Sequence, residues 1–146
     1  MATGIAHDRR STRGCERIRF HTQLCVRDTR GRPLARASRC LDIGLGGLGA
    51  AAADGIPPGT PVEIELRLPS GRRFRSRGRV AWSKTTLHPA LFGTPRGRND
   101  DASFGIAFEE ISTQDLLPIA RLLAAREDAR RRARRIRRLH GLPLPA

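Results

Sequence analysis

Gly44, Gly46 and Gly49 stand in the stretch LDIGLGGLGAAAADGIPPG, Leu41 to Gly59, with the spacing G-x-G-x-x-G. Glycines at that spacing can form a turn whose backbone N–H groups cradle a phosphate, provided a strand feeds the turn and a helix leaves it. Ala35–Ile43 can supply the strand. The helix side fails. After Ala50–Ala53 and Asp54 comes Gly55-Ile56-Pro57-Pro58-Gly59, and prolines and glycines at that density stop a helix. The acidic residue expected about twenty positions further on falls near Pro69, and Glu63 and Glu65 sit in an alternating strand pattern. A dinucleotide-binding enzyme is therefore disfavoured, and the glycines need another purpose.

Other reactive groups are scattered. Cys15, Cys25 and Cys40 have no metal-ligand spacing, and neither do His7, His21, His88 and His140. Cys25 and Cys40 lie in strand-like runs and read as small core residues. No nucleophile–base pair, metal cluster or paired carboxylate has supporting context, so no catalytic residue, metal or cofactor is assigned. Glu109 and Glu110 belong to the connection before a helix. What the chain has in excess is arginine. Its net charge is +14, and Lys84 is the only lysine. The charge sits at the ends: residues 1–40 hold 10 basic and 3 acidic residues, residues 126–146 hold 8 and 2, and the middle is nearly balanced. Basic ends of this kind point to anionic partners. No apolar run approaches the length of a membrane span and no secretory signal is visible, so a cytoplasmic location is expected.

The elements that must position these residues are mostly strands. Met1–Asp8 reads as a disordered terminus and Arg9–Arg19 as a basic lead-in. Phe20, Thr22, Leu24 and Val26 alternate with polar neighbours, as a half-buried strand does. Asp28–Pro33 is a turn, Leu34–Ile43 a second strand and Leu48–Ala52 a short third. Val62–Leu68 alternates without a fault, Pro69–Arg72 is a hairpin turn, and Phe74, Ser76, Gly78, Val80 and Trp82 share one face of the next strand. This places Trp82 in the core. Thr85–Ala102 reads as a loop, and Phe104, Ile106 and Phe108 mark a last strand. A helix follows, with Asp115 as its cap, Pro118 in its first turn, and Ile119, Leu122 and Leu123 as its apolar stripe. It continues through the arginine-rich stretch Arg126–Arg138 until Gly141 and Pro143. Short strands followed by one helix argue for a small antiparallel barrel whose opening the helix covers.

Four motifs now fall into order. Arg13-Gly14-Cys15-Glu16-Arg17 gives R-x-x-x-R immediately before the first strand. Arg9-Arg10-Ser11-Thr12-Arg13 gives a second, overlapping frame. Asp42-Ile43-Gly44-Leu45-Gly46-Gly47 is similar to D-x-S-x-x-G, with Gly44 in place of the serine. Gly78–Trp82 resembles a G-x-V-x-W strand and Gly105–Phe108 a G-I-x-F strand. Taken together, about residues 9–125 resemble the PilZ domain, a family of bacterial receptors for the second messenger cyclic di-GMP.

That resemblance implies a mainly β fold: a six-stranded antiparallel barrel with a C-terminal helix, here long. It implies cyclic di-GMP as ligand, with Arg13, Arg17, Asp42, Gly44 and Gly47 around it. Arg9 and Arg10 join them if the alternative frame is used; Arg13/Arg17 is preferred because Arg17 runs straight into the strand. An Arg fork suits phosphate oxygens and the O6/N7 edge of guanine. Asp42 can accept from guanine N–H groups, and glycine permits close approach and positive φ. Gly44 brings no hydroxyl. Two other functions stay open. One is a nucleotide-independent adaptor with a protein partner, reached through the Arg126–Arg138 helix. The other is a basic barrel that binds nucleic acid.

Overall fold

The computed structural model describes residues 16–85 and 102–141. Six strands and one helix follow one another: β1 Arg17–Arg27, β2 Arg39–Gly44, β3 Gly47–Ala52, β4 Pro61–Arg67, β5 Arg73–Thr85, β6 Ala102–Glu109 and α1 Thr113–Leu139. The strands close into a barrel in the order β1-β2-β3-β6-β5-β4, every neighbouring pair antiparallel. Closure joins β4 back to β1, so no edge is left to pair with another chain. The expected fold class is the one observed.

Alternation explains which residues fill the barrel. Ile18, Leu24 and Val26 of β1, Val62, Ile64 and Leu66 of β4, Phe74 and Val80 of β5, and Phe104 and Ile106 of β6 are buried. Their neighbours along each strand face outward, as the two-residue period of a strand requires, and all but Gly105 are exposed or half-buried. Ile119 and Leu123 of α1 join the same core, so the helix does cover one opening. Burying an Ile or Leu of this kind contributes roughly 1.5–3 kcal/mol. Cys40 is part of this core, whereas Cys25 is only half-buried and faces outward, a correction to its expected place. Burial pushes the Cys40 thiol up to about 12, with the Asp42 charge adding to it.

Three further expectations are corrected. The second strand does not begin at Leu34. Asp28 accepts from the N–H groups of Arg30 and Arg32 at 2.8 and 2.9 Å, Ala37 adopts φ 51°, and the ladder resumes only at Arg39. Ser112 rather than Asp115 caps α1. Its Oγ accepts from the Asp115 N–H at 3.1 Å and donates to Asp115 Oδ2 at 2.8 Å. Pro118 consequently lies inside the helix, beyond its first turn. The loop expected over Thr85–Ala102 falls, apart from its two ends, outside the described residues. Among the described residues no helix is long and apolar enough to cross a membrane.

Candidate functional site

The site is built where β1 begins. Ladder pairing sets Arg17 opposite Gly44 and Arg19 opposite Asp42. Ile18 between them points inward, so both arginines project from the outer face. Arg17 Nη1 lies 3.2 Å from Asp42 Oδ1, and both side chains are about one-third exposed. The same Oδ1 accepts from the Gly49 N–H across the β2–β3 pair at 3.1 Å. One carboxylate thus joins three strands: a cation from β1, a backbone donor from β3, and its own anchorage in β2.

The glycines act by letting backbones approach. A Cβ at Gly44 would stand 2.8 Å from the Glu16 carbonyl oxygen and 3.1 Å from Arg17 Cγ. A Cβ at Gly49 would crowd the Asp42 carboxylate at 3.0 Å. Neither residue has positive φ; among the described residues the positive-φ glycines are Gly31, Gly59, Gly71 and Gly141. The conformational freedom expected of this stretch is therefore not what its glycines supply. Gly47 is placed differently. It pairs with Ala107 of β6, and a Cβ there would collide with the Ile106 carbonyl oxygen, so it packs β3 against β6.

Trp82 overturns its sequence reading. The β5–β6 register shifts between Val80 and Trp82, so the inward phase set by Phe74 and Val80 is lost after Val80. Trp82 is left 43% exposed on the outside of the barrel. Its indole lies over Gly105, where a Cβ would collide with the ring nitrogen. A recess of about 160 Å³ runs between Trp82, Gly105, Gly46, Gly44 and Arg17. The recess therefore has an aromatic wall, a guanidinium and a glycine floor, and Arg17 ties it to the Asp42 carboxylate. Alternation cannot reveal a bulge. The sequence signal that could have found this wall is Gly105, a strand residue with no side chain directly opposite the single tryptophan.

Arg17, Asp42 and Gly44 are thus brought together, Gly47 stands to one side, and Arg9, Arg10 and Arg13 lie outside the described residues. Arg19, opposite Asp42, and Trp82 are additions. A further contact ties the site to α1: Glu16, inside the R-x-x-x-R segment, lies 3.6 Å from Arg130 Nη1.

Residues 8–125 match the PilZ domain family. No curated protein matches this sequence. Several solved structures share the fold. A structure of YcgR in complex with c-di-GMP from Escherichia coli is 17% identical with a TM-score of 0.60, over 85% of this chain and 50% of that one. The Bacillus subtilis inhibitor of motility MotI/DgrA is 15% identical with a TM-score of 0.57, over 78% of this chain and 50% of that one. The isolated PilZ domain of Escherichia coli YcgR with c-di-GMP is 17% identical with a TM-score of 0.55, over 82% and 95%. The chain therefore spans about half the length of the first two of these proteins.

Proposed function

Because the chain belongs to the PilZ domain family, we propose that it is a receptor or adaptor that binds cyclic di-GMP beside the start of β1. The observation that carries this reading is the Arg17–Asp42 contact at 3.2 Å, which joins two motifs 25 residues apart. Arg17 presents a fork to a phosphate or a guanine Hoogsteen edge. Asp42, held in place by the Gly49 N–H, accepts from guanine N–H groups. Trp82 offers its face to a base, and stacking of that kind is worth about 1–3 kcal/mol. Arg13, on the segment that leads into Arg17, supplies a second fork, so Arg13/Arg17 is the working frame. Binding orders that segment over the site and changes which surface a protein partner meets. The nucleotide-binding unit is residues 9–125, followed by the arginine-rich extension 126–146, and the proposed location is the cytoplasm.

The test is calorimetric titration of the whole chain with cyclic di-GMP, with GTP as control. Arg17→Ala and Asp42→Asn are each expected to weaken binding by about 10- to 100-fold, the loss of one charge-assisted hydrogen bond. Trp82 is the only tryptophan, so its emission gives an independent signal, and saturating nucleotide is expected to quench it. Absence of heat and of quenching at high nucleotide would sink this reading. It would leave the nucleotide-independent adaptor as the reading.

A further inference from the structure

The outer half of α1 is not explained by the barrel. Ile119 and Leu123 are its only buried residues among those described, although 27 residues make it about 40 Å long. Residues 130–138 contain seven arginines and no acid. Arg130 pairs with Glu16 and Arg131 with Glu127. Among the described residues, Arg126, Arg132, Arg134, Arg135, Arg137 and Arg138 have no carboxylate partner. At about 3.6 residues per turn, Arg126, Arg130 and Arg137 continue the side that Ile119 and Leu123 lay on the barrel. Arg134 stands next to that side, Arg138 and Arg131 follow along one flank, and Arg135 and Arg132 fall on the side turned away. The cations therefore surround more than half of the helix. Like charges three and four residues apart destabilise a helix, so this segment carries repulsion that a bound anion would relieve.

We propose that this extension binds duplex DNA through its phosphates, without reading sequence. The groove geometry selects the partner. A B-form major groove about 12 Å wide admits one helix between two phosphate walls, and arginines around most of a helix reach both. A protein partner would need an apolar centre to its interface. The exposed apolar residues Ile136 and Leu139 lie off the side that carries Arg131, Arg134, Arg135 and Arg138. A second copy of the chain would bring an equal positive charge. The helix has no aromatic residue to stack on bases, so contacts stay on the backbone and position without specifying.

The experiment is fluorescence anisotropy of the full chain with a labelled duplex of about two helical turns, repeated between about 50 and 200 mM salt. Binding is expected to weaken steeply, with a log–log slope of about −4 or steeper for four or more phosphate contacts. R131Q/R134Q/R135Q/R138Q is expected to lose at least about tenfold in affinity and to flatten that slope, since each lost phosphate contact removes nearly one unit. Removing the same charge from barrel turns and strand ends, R30Q/R32Q/R67Q/R72Q, is expected to change affinity less than about threefold, because charges off the contact face act only through the overall field. Glutamine preserves helix propensity, so unchanged circular dichroism in the absence of DNA confirms that the helix variant folds. The duplex itself is expected to raise the helical signal of the wild-type chain.

Three results overturn the proposal: no binding at the lowest salt, equal losses in the two variants, or displacement of the duplex by polyglutamate as readily as by unlabelled DNA. The last would reassign the helix to an acidic protein. None of these outcomes touches the nucleotide site, whose residues the variants leave intact.

Discussion

At the scale of the residue, Gly44 decides how closely β1 and β2 approach. Its missing side chain lets the Glu16 carbonyl and Arg17 Cγ come to distances that a Cβ would violate, and Arg17 then reaches Asp42. A serine at position 44, which the resemblance to D-x-S-x-x-G would call for, is not expected to be a gain of function. Gly44→Ser is expected to push the start of β1 outward, lowering the melting temperature and weakening cyclic di-GMP binding. Thermal unfolding and titration of the variant check this, and tighter binding with an unchanged melting temperature would refute it. Arg17 and Asp42 were legible in the sequence because charged residues in motif order keep their meaning without coordinates. The reason for Gly44 was not, because it lies in a contact between two strands far apart in the chain. Trp82 was misread for a related reason: a single register shift turns every later side chain to the opposite face.

At the scale of the element, α1 shows how local chemistry fixes a boundary. The Ser112 hydroxyl accepts from the Asp115 N–H and donates to the Asp115 carboxylate, so it satisfies one of the helix's unpaired N–H groups and holds an acid at the positive end of the helix. Ser112→Ala is expected to cost about 1 kcal/mol, whereas Ile119→Ala, which empties a fully buried position, is expected to cost about 2–5 kcal/mol. Urea denaturation of both variants measures the difference, and equal losses would mean that Ile119 packing holds the helix no more strongly than its cap. Gly141, at φ 63°, ends the helix as its composition implied. Strands with strict alternation, Val62–Leu68 above all, were legible to within a residue or two. The failure over Leu34–Ser38 has a local cause. Ser38 Oγ donates to the Ala35 carbonyl at 3.1 Å, and Ala37 takes a conformation unusual for alanine. Apolar spacing announces neither.

At the scale of the whole molecule, barrel stability is linked to a thiol. Cys40 has its pKa raised to about 12 by burial and by the nearby Asp42 charge. In the unfolded chain the same thiol ionises near its ordinary value, about 8.5. Above that pH the folded state holds more protons than the unfolded one, so stability falls as pH rises toward 12. The contribution is complete below the ordinary thiol value. Unfolding measured at about pH 8 and about pH 10.5 is expected to show this loss, and Cys40→Ala, with no thiol to ionise, to flatten it. An equal loss in the variant would assign the effect to other groups.

The Glu16–Arg130 pair has a consequence for how motion in this molecule could be watched. It sets the carboxylate just ahead of β1 within 3.6 Å of a guanidinium on the second half of α1. The helix is thus leashed beside the arginine that meets Asp42. Rearrangement of that spot would be felt by the first strand and the helix at once, which makes these two elements a natural place for a pair of optical reporters.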